Sequence, residues 1–156
     1  MDCTAQVCGL LAERREWFLL YEQETESLLS CGIDEMPLHM QERDRLAAWV
    51  EDTGYRIEEA CAGAPEVLAA AYNRCDRGGL PQGLAGVYDC GQQVFQVINR
   101  IYKMEPMVLL RMQQERDKLE EKIKDSNRSA AAQASRYFSG AQGSANLPRA
   151  GHFGRA

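Results

Sequence analysis

The sequence predicts an all-α protein, an antiparallel helical hairpin or bundle closed by a long C-terminal helix. Apolar residues recur at steps of three, four and seven over long stretches, which is the spacing of a buried helix face. The alternation typical of strands is missing, and β-branched residues are few. After Tyr137 the composition changes to Gly, Ala, Ser, Asn and Arg, which predicts a disordered tail over 138–156. Residues 1–137 are therefore expected to form a single helical domain.

The first helix is predicted from about Thr4 to Ser30. Cys31-Gly32 should end it, because Gly readily takes the left-handed conformation that follows a helix. Its apolar face consists of Val7, Leu10, Leu11, Trp17, Phe18, Tyr21, Leu28 and Leu29.

The second helix is predicted to begin near Asp34, with Pro37 in its first turn, and to end at residues 63–65. It should pair with the first helix as an antiparallel hairpin. Gly54 indicates close packing or a local bend in its middle. Its buried face is expected to consist of Met36, Met40, Leu46, Val50, Ile57 and Cys61.

A short third helix is predicted from Pro65 to about Asp76, and residues 77–81 should form a turn. The fourth helix should begin near Gln82 and be long. Pro106 removes one backbone hydrogen bond and clashes with the preceding turn, so a kink or a break is expected near residues 102–105. Its apolar seam consists of Val94, Ile98, Ile101, Val108, Met112 and Leu119.

The seam of the fourth helix thins beyond Met112, where charged residues crowd the other positions. A helix with so few apolar residues has an end that its own core covers poorly, so this end either stays solvated or binds a partner. The predicted apolar face of that surface is formed by Val108, Met112, Leu119 and Ile123. Basic side chains at its rim are Arg111, Arg116, Lys118 and Lys122.

Charge and hydropathy narrow the possible partners. Residues 1–63 hold 14 acidic and 5 basic side chains, and residues 64–156 hold 9 acidic and 13 basic ones. This asymmetry indicates an acidic hairpin packed against a more basic final helix.

Nucleic acid is a poor candidate for a binding partner, because the basic residues are interleaved with Glu and Asp. No run approaches the ~20 apolar residues that cross a bilayer, and no secretory leader is recognisable, so a cytoplasmic location is expected.

No catalytic, cofactor or metal site is predicted. The six cysteines form no Cys-x-x-Cys pair, and His39 and His152 are the only histidines. The residues around 78–86 lack the Lys-Ser/Thr that a phosphate-binding loop requires. Cysteines on helical apolar faces behave as small hydrophobes, and in a reducing cytosol all six should be free.

Three segments resemble the flagellar export chaperones of the FlgN type. LLSCGIDEM, residues 28–36, is similar to the leucine-rich junction that follows the first helix of that family. Glu42 to Leu46 forms a Glu-Arg-Asp-Arg-Leu motif in the second helix. In the closing helix an Ile-Asn pair, a Leu pair, an Ile-Lys, an Asn and an alanine-rich run ending in Tyr occur in that order, at 98–99, 109–110, 123–124, 127 and 130–137. The resemblance covers roughly residues 5–140.

The resemblance implies a small cytoplasmic chaperone without enzymatic activity or cofactor. Such chaperones bind hook–filament junction subunits, prevent their premature assembly and deliver them to the flagellar type III export gate. Binding of the client through the C-terminal helix would involve Val108, Arg111, Met112, Arg116, Leu119, Lys122 and Ile123. The resemblance also implies that Tyr137 contacts the export gate.

Two alternatives fit the same helical pattern. A filament-cap-type flagellar chaperone would have similar helices and a different client. A non-flagellar helical adaptor or coiled-coil structural protein would use its long helices to form a homodimer.

Overall fold

The computed structural model describes the backbone of residues 2–152 and the side chains of residues 2–139. Over that backbone it consists of helices joined by turns, with no strand, so the predicted all-α class is confirmed. The elements are α1 (Thr4–Ser30), a 3-10 turn (Ile33–Glu35), α2 (Met36–Ala60), α3 (Pro65–Ala71) and α4 (Gln82–His152).

The chain divides into two compact units, which are described separately. Unit 1 is Met1–Arg111 and unit 2 is Met112–Ala156. Helix α4 contributes its first part to unit 1 and its remainder to unit 2.

Helices α1 and α2 form the predicted antiparallel hairpin of unit 1. Arg56 donates to Glu13 at 3.0 Å, and the rings of Trp17 and Trp49 stack with centroids 5.2 Å apart. Near the connecting turn, Arg43 donates to the hydroxyl of Tyr21 at 2.5 Å. Residue numbers rise along α1 as they fall along α2, which is the signature of an antiparallel pair.

The first part of α4 runs parallel to α1. At the beginning of α1, Cγ2 of Thr4 lies 3.9 Å from the position that a β-carbon on Gly83, near the beginning of α4, would occupy. Further along, Arg100 forms two hydrogen bonds with the carboxylate of Glu22, at 2.7 and 3.0 Å. In this ion pair the acidic residue is on α1 and the basic residue on α4, as predicted. In the pair of Arg43 on α2 with Glu105 on α4, 2.5 Å apart, the charges are reversed, because α4 supplies the acidic residue.

The hydrophobic core of unit 1 takes residues from all four helices. This confirms the predicted apolar faces of α1 and α4 as far as Val108. The central cluster is Val7, Leu10, Leu11, Ile57, Cys61, Val67, Ala70, Ala71, Val87 and Val94. Further buried side chains are Leu28, Met36, Leu46, Val97, Ile101 and Val108.

Glycines of α2 and α4 lie where a neighbour approaches closely. Gly54 is buried, and a β-carbon there would be 3.5 Å from the guanidinium of Arg14. Since α2 continues through Gly54, the prediction of close packing is confirmed. At Gly91 a β-carbon would lie 2.1 Å from the carbonyl oxygen of Ala71. Only a glycine lets the end of α3 lie so close to α4.

Helix α3 is shorter than predicted, because it ends at Ala71 and not near Asp76. Asn73 takes a positive φ of 55°, a left-handed conformation that terminates a helix and that Asn tolerates better than most residues. Its side-chain amide donates to the carbonyl oxygens of Ala70 and Tyr88, at 3.4 and 3.0 Å.

Three further predictions have different outcomes. Helix α4 continues through Pro106, so a break is wrong, whereas a kink stays a prediction. Met40 is exposed, because at 100° per residue it lies about a third of a turn round α2 from the buried Leu46 and Ile57. Its placement in the core is wrong. The predicted disordered tail, 138–156, falls mostly on residues whose side chains are not described, and it stays a prediction.

Candidate protein-binding surface

The part of α4 in unit 2 exposes apolar side chains to solvent. Leu119 and Ile123 are 53% and 52% exposed, one helical turn apart. Met112, which is half-buried, precedes Leu119 by seven residues. Because steps of four and seven return to one helix face, these three side chains form a single stripe along α4.

Basic side chains border this stripe. Arg116 lies four residues after Met112 and three before Leu119, and Lys122 adjoins Ile123. Arg116 has only a loose ion pair with Glu120, at 3.9 Å. Exposed pairs of this kind are worth at most about 1 kcal/mol, so the guanidinium can readily exchange Glu120 for an acidic group of a partner.

An exposed aromatic pair lies further along α4. Tyr137 is 73% exposed, and its ring meets that of Phe138 edge-to-face with centroids 5.9 Å apart. Tyr137 follows Met112 by 25 residues, close to seven full helical turns, so it lies on the same helix face. The predicted gate contact is therefore accessible to a second protein.

Val108 is not part of this surface. It is 2% exposed and belongs to the buried side chains of unit 1, so the prediction that it lies on an exposed client-binding face is wrong. It continues the seam of Val97 and Ile101, which packs inwards.

Arg111 is engaged within unit 1. Its guanidinium donates to the carbonyl oxygen of Leu28 at 2.6 Å and to that of Cys31. These acceptors lie in the last turn of α1 and at the residue that follows it, where a cation also opposes the negative end of the helix dipole. Arg111 therefore links α4 to the end of α1 by hydrogen bonds. It is not a free basic residue at the rim of the client-binding surface, as was predicted.

A second exposed stripe of α4 lies in unit 1 and was not predicted. Phe95, Tyr102 and Leu109 follow one another at seven-residue steps, and each is more than half exposed. The heptad spacing was visible in the sequence, but which of the two apolar faces of α4 is buried depends on where α1 lies.

The thiols follow the predicted pattern in part. All six cysteines are free, and five of them belong to the central cluster or pack against it. Burial, followed by a hydrogen bond with Cys90, raises the pKa of Cys8 to about 11. Burial, followed by the neighbouring thiol of Cys3, also raises the pKa of Cys61. These thiols stay protonated and unreactive at neutral pH.

Two further places in unit 1 could hold a ligand. A cavity of about 100 Å³ lies between α1, α3 and α4 beside Leu11, Tyr72 and Gly91, which is below the size of ordinary ligand pockets. At the α1–α2 turn, Cys31, Glu35 and His39 place three potential metal-ligand atoms within 4.8 Å of one another. These three residues lack the paired-cysteine spacing by which zinc sites are recognised in a sequence, so this cluster was not predicted.

Among residues 2–152, no helix combines the length and the apolar character required to cross a membrane. The chain matches no protein-family model, no curated protein and no solved structure.

Proposed function

We propose that this protein is a cytoplasmic flagellar export chaperone of the FlgN type. It binds hook–filament junction subunits through the unit 2 part of α4, keeps them from assembling early and delivers them to the export gate. The role is binding and delivery, without an enzymatic reaction. The sequence resemblance over roughly residues 5–140 and the helical architecture support this proposal.

The observation that carries the proposal is the exposed stripe of Met112, Leu119 and Ile123. Leaving half of a Leu and half of an Ile side chain in water forgoes roughly 1–1.5 kcal/mol each, relative to full burial. A client helix laid along α4 would recover part of that free energy, with its own apolar residues at steps of three and four. Arg116 and Lys122 at the rim favour a client segment with acidic flanks.

Tyr137 is proposed as the contact with the export gate. It is exposed together with Phe138, and it is 14 residues, four helical turns, beyond Ile123. A client seated at Leu119 and Ile123 would thus leave the aromatic pair available to a second protein. A filament-cap-type chaperone would use the same surface for a different client.

A helical adaptor that self-associates is the second candidate. Phe95, Tyr102 and Leu109 at heptad spacing favour it, because such a stripe is typical of a helix that pairs with another helix. The two candidates use different residues, so they can be separated by mutation.

Light scattering of the purified full chain, alone and with a purified hook–filament junction subunit, tests the proposal. A chaperone forms a stoichiometric complex, which the double variant Leu119→Glu/Ile123→Glu should weaken at least tenfold. Leu38→Glu is the matched control, since Leu38 is an apolar residue on α2 that is also more than half exposed. If the wild-type chain forms no complex with the junction subunit but forms a dimer that Tyr102→Glu dissociates, the chaperone proposal is wrong and the adaptor is favoured.

A further inference from the structure

The connection between α1 and α2 gathers a thiol, a carboxylate and an imidazole. Cys31 follows the last residue of α1, Glu35 ends the 3-10 turn, and His39 lies in the first turn of α2. The Cys31 sulfur, a carboxylate oxygen of Glu35 and a ring nitrogen of His39 lie within 4.8 Å of one another. Glu35 and His39 are one helical turn apart, and the reversal of the chain at Gly32 brings Cys31 to them.

The imidazole of His39 is already oriented. Its Nδ1 lies 2.5 Å from Oε2 of Glu24 on α1, and the two side chains are only 27% and 25% exposed. With Glu24 accepting a hydrogen bond from Nδ1–H, the lone pair of Nε2 is free for a ligand. A carboxylate bound to one imidazole nitrogen is the usual support of a metal-ligating histidine, because it fixes the tautomer and raises the basicity of the other nitrogen.

The charges around the turn fit a divalent cation. With a metal bound, the Cys31 sulfur would be a thiolate, and together with the carboxylates of Glu24 and Glu35 it would bring three negative charges. Arg111 brings one positive charge, with Nη1 3.7 Å from the Cys31 sulfur. A divalent ion would neutralise the remaining two negative charges. The hydrogen bonds from Arg111 to the carbonyl oxygens of Leu28 and Cys31 hold this turn in place.

We propose that Cys31, Glu35 and His39 bind a zinc ion at the α1–α2 turn, with Glu24 as the positioning residue for His39. Sulfur and imidazole ligands select zinc over magnesium and calcium, which prefer oxygen. Bonds of about 2.0–2.3 Å in a tetrahedral site put ligand atoms roughly 3.5 Å apart. The ligand atoms would therefore have to approach one another by at most about 1.3 Å, and the exposed Glu35 side chain is free to rotate towards the ion. Water would complete the tetrahedron, and the ion would clamp the turn of the hairpin.

Cobalt(II) titration of the reduced, metal-free full chain tests the proposal. The expected result is one cobalt per chain, with the intense visible bands of a tetrahedral site and a near-ultraviolet thiolate charge-transfer band. Zinc should displace the cobalt. Zinc at a hundredfold excess over its dissociation constant should raise the melting temperature by roughly 5–10 °C.

Single substitutions assign the ligands. Cys31→Ser should abolish the charge-transfer band, and Cys75→Ser, which removes a half-buried thiol elsewhere, should keep it. Glu35→Gln changes an exposed side chain and so preserves the fold, yet it should weaken cobalt binding at least tenfold. Glu24→Gln should weaken binding by about 10–100-fold at unchanged stoichiometry. An octahedral cobalt spectrum, or equal cobalt affinity in wild type and Glu35→Gln, would overturn the proposal.

Discussion

Gly91→Ala tests the close approach of α3 to α4. A β-carbon at position 91 would lie 2.1 Å from the carbonyl oxygen of Ala71 and 2.9 Å from its carbonyl carbon. Both atoms are backbone, so no side-chain rotation relieves the contact. The end of α3 must move by more than 1 Å to restore an ordinary van der Waals distance.

The expected cost can be worked out from two opposing effects. Overpacking of a well-packed site costs typically 1–3 kcal/mol, and a backbone clash this short belongs at the upper end. Replacing Gly by Ala inside a helix gains about 1 kcal/mol. Gly91→Ala should therefore destabilise the protein by about 2 kcal/mol.

Gly86→Ala is the matched control, because Gly86 lies in the same helix and a β-carbon there meets nothing within 4 Å. It should stabilise the protein by up to about 1 kcal/mol. Thermal unfolding followed by circular dichroism should thus separate the two variants by about 10 °C. Equal melting temperatures would refute the close packing of α3 on α4.

Two further predictions concern Arg111 and Cys8. Arg111→Leu removes two hydrogen bonds to the end of α1 and should cost about 2–3 kcal/mol in urea unfolding, whereas Arg116→Leu should change stability by less than about 0.5 kcal/mol; equal effects would contradict the assignment of Arg111 to the fold. Because the pKa of Cys8 is raised from 9.0 to about 11, the folded state keeps a proton that the unfolded chain releases, so stability should fall as pH rises from 9 towards 11. Cys8→Ala should reduce that slope and leave the part due to Cys61, whose pKa is also raised; an unchanged slope would show that Cys8 does not contribute to it.

The helices were predictable because their signals are local. The bounds of α1 follow from its continuous apolar stripe, and the helix ends before Cys31-Gly32 as expected. The reason given for that end is wrong, because Gly32 is extended, with a φ of −65°, and does not take the left-handed conformation. The burial of α4 as far as Val108 follows from its seam in the same way. The end of α3 was missed because it depends on the left-handed conformation of Asn73, which a composition of mostly helix-forming residues does not reveal.

The functional residues were less predictable, because their roles depend on tertiary distance. Arg111 looks like any basic residue at the rim of an apolar stripe. Arg111 becomes a structural hydrogen-bond donor only because the C-terminal end of α1 lies beside it in the fold. The cluster of Cys31, Glu35 and His39 has a regular four-residue spacing in the sequence, but Glu24, which orients the histidine, comes from the other helix.

Amide hydrogen exchange of the full chain, with and without a purified hook–filament junction subunit, tests the central claim most directly. Exchange in residues 112–139 should be rapid in the free protein, because that part of α4 is solvated. Binding of the junction subunit should slow it there and leave the core of unit 1 unchanged. A complex that leaves exchange in 112–139 unaltered, or protects only residues 2–111, would contradict the proposal that this segment holds the client.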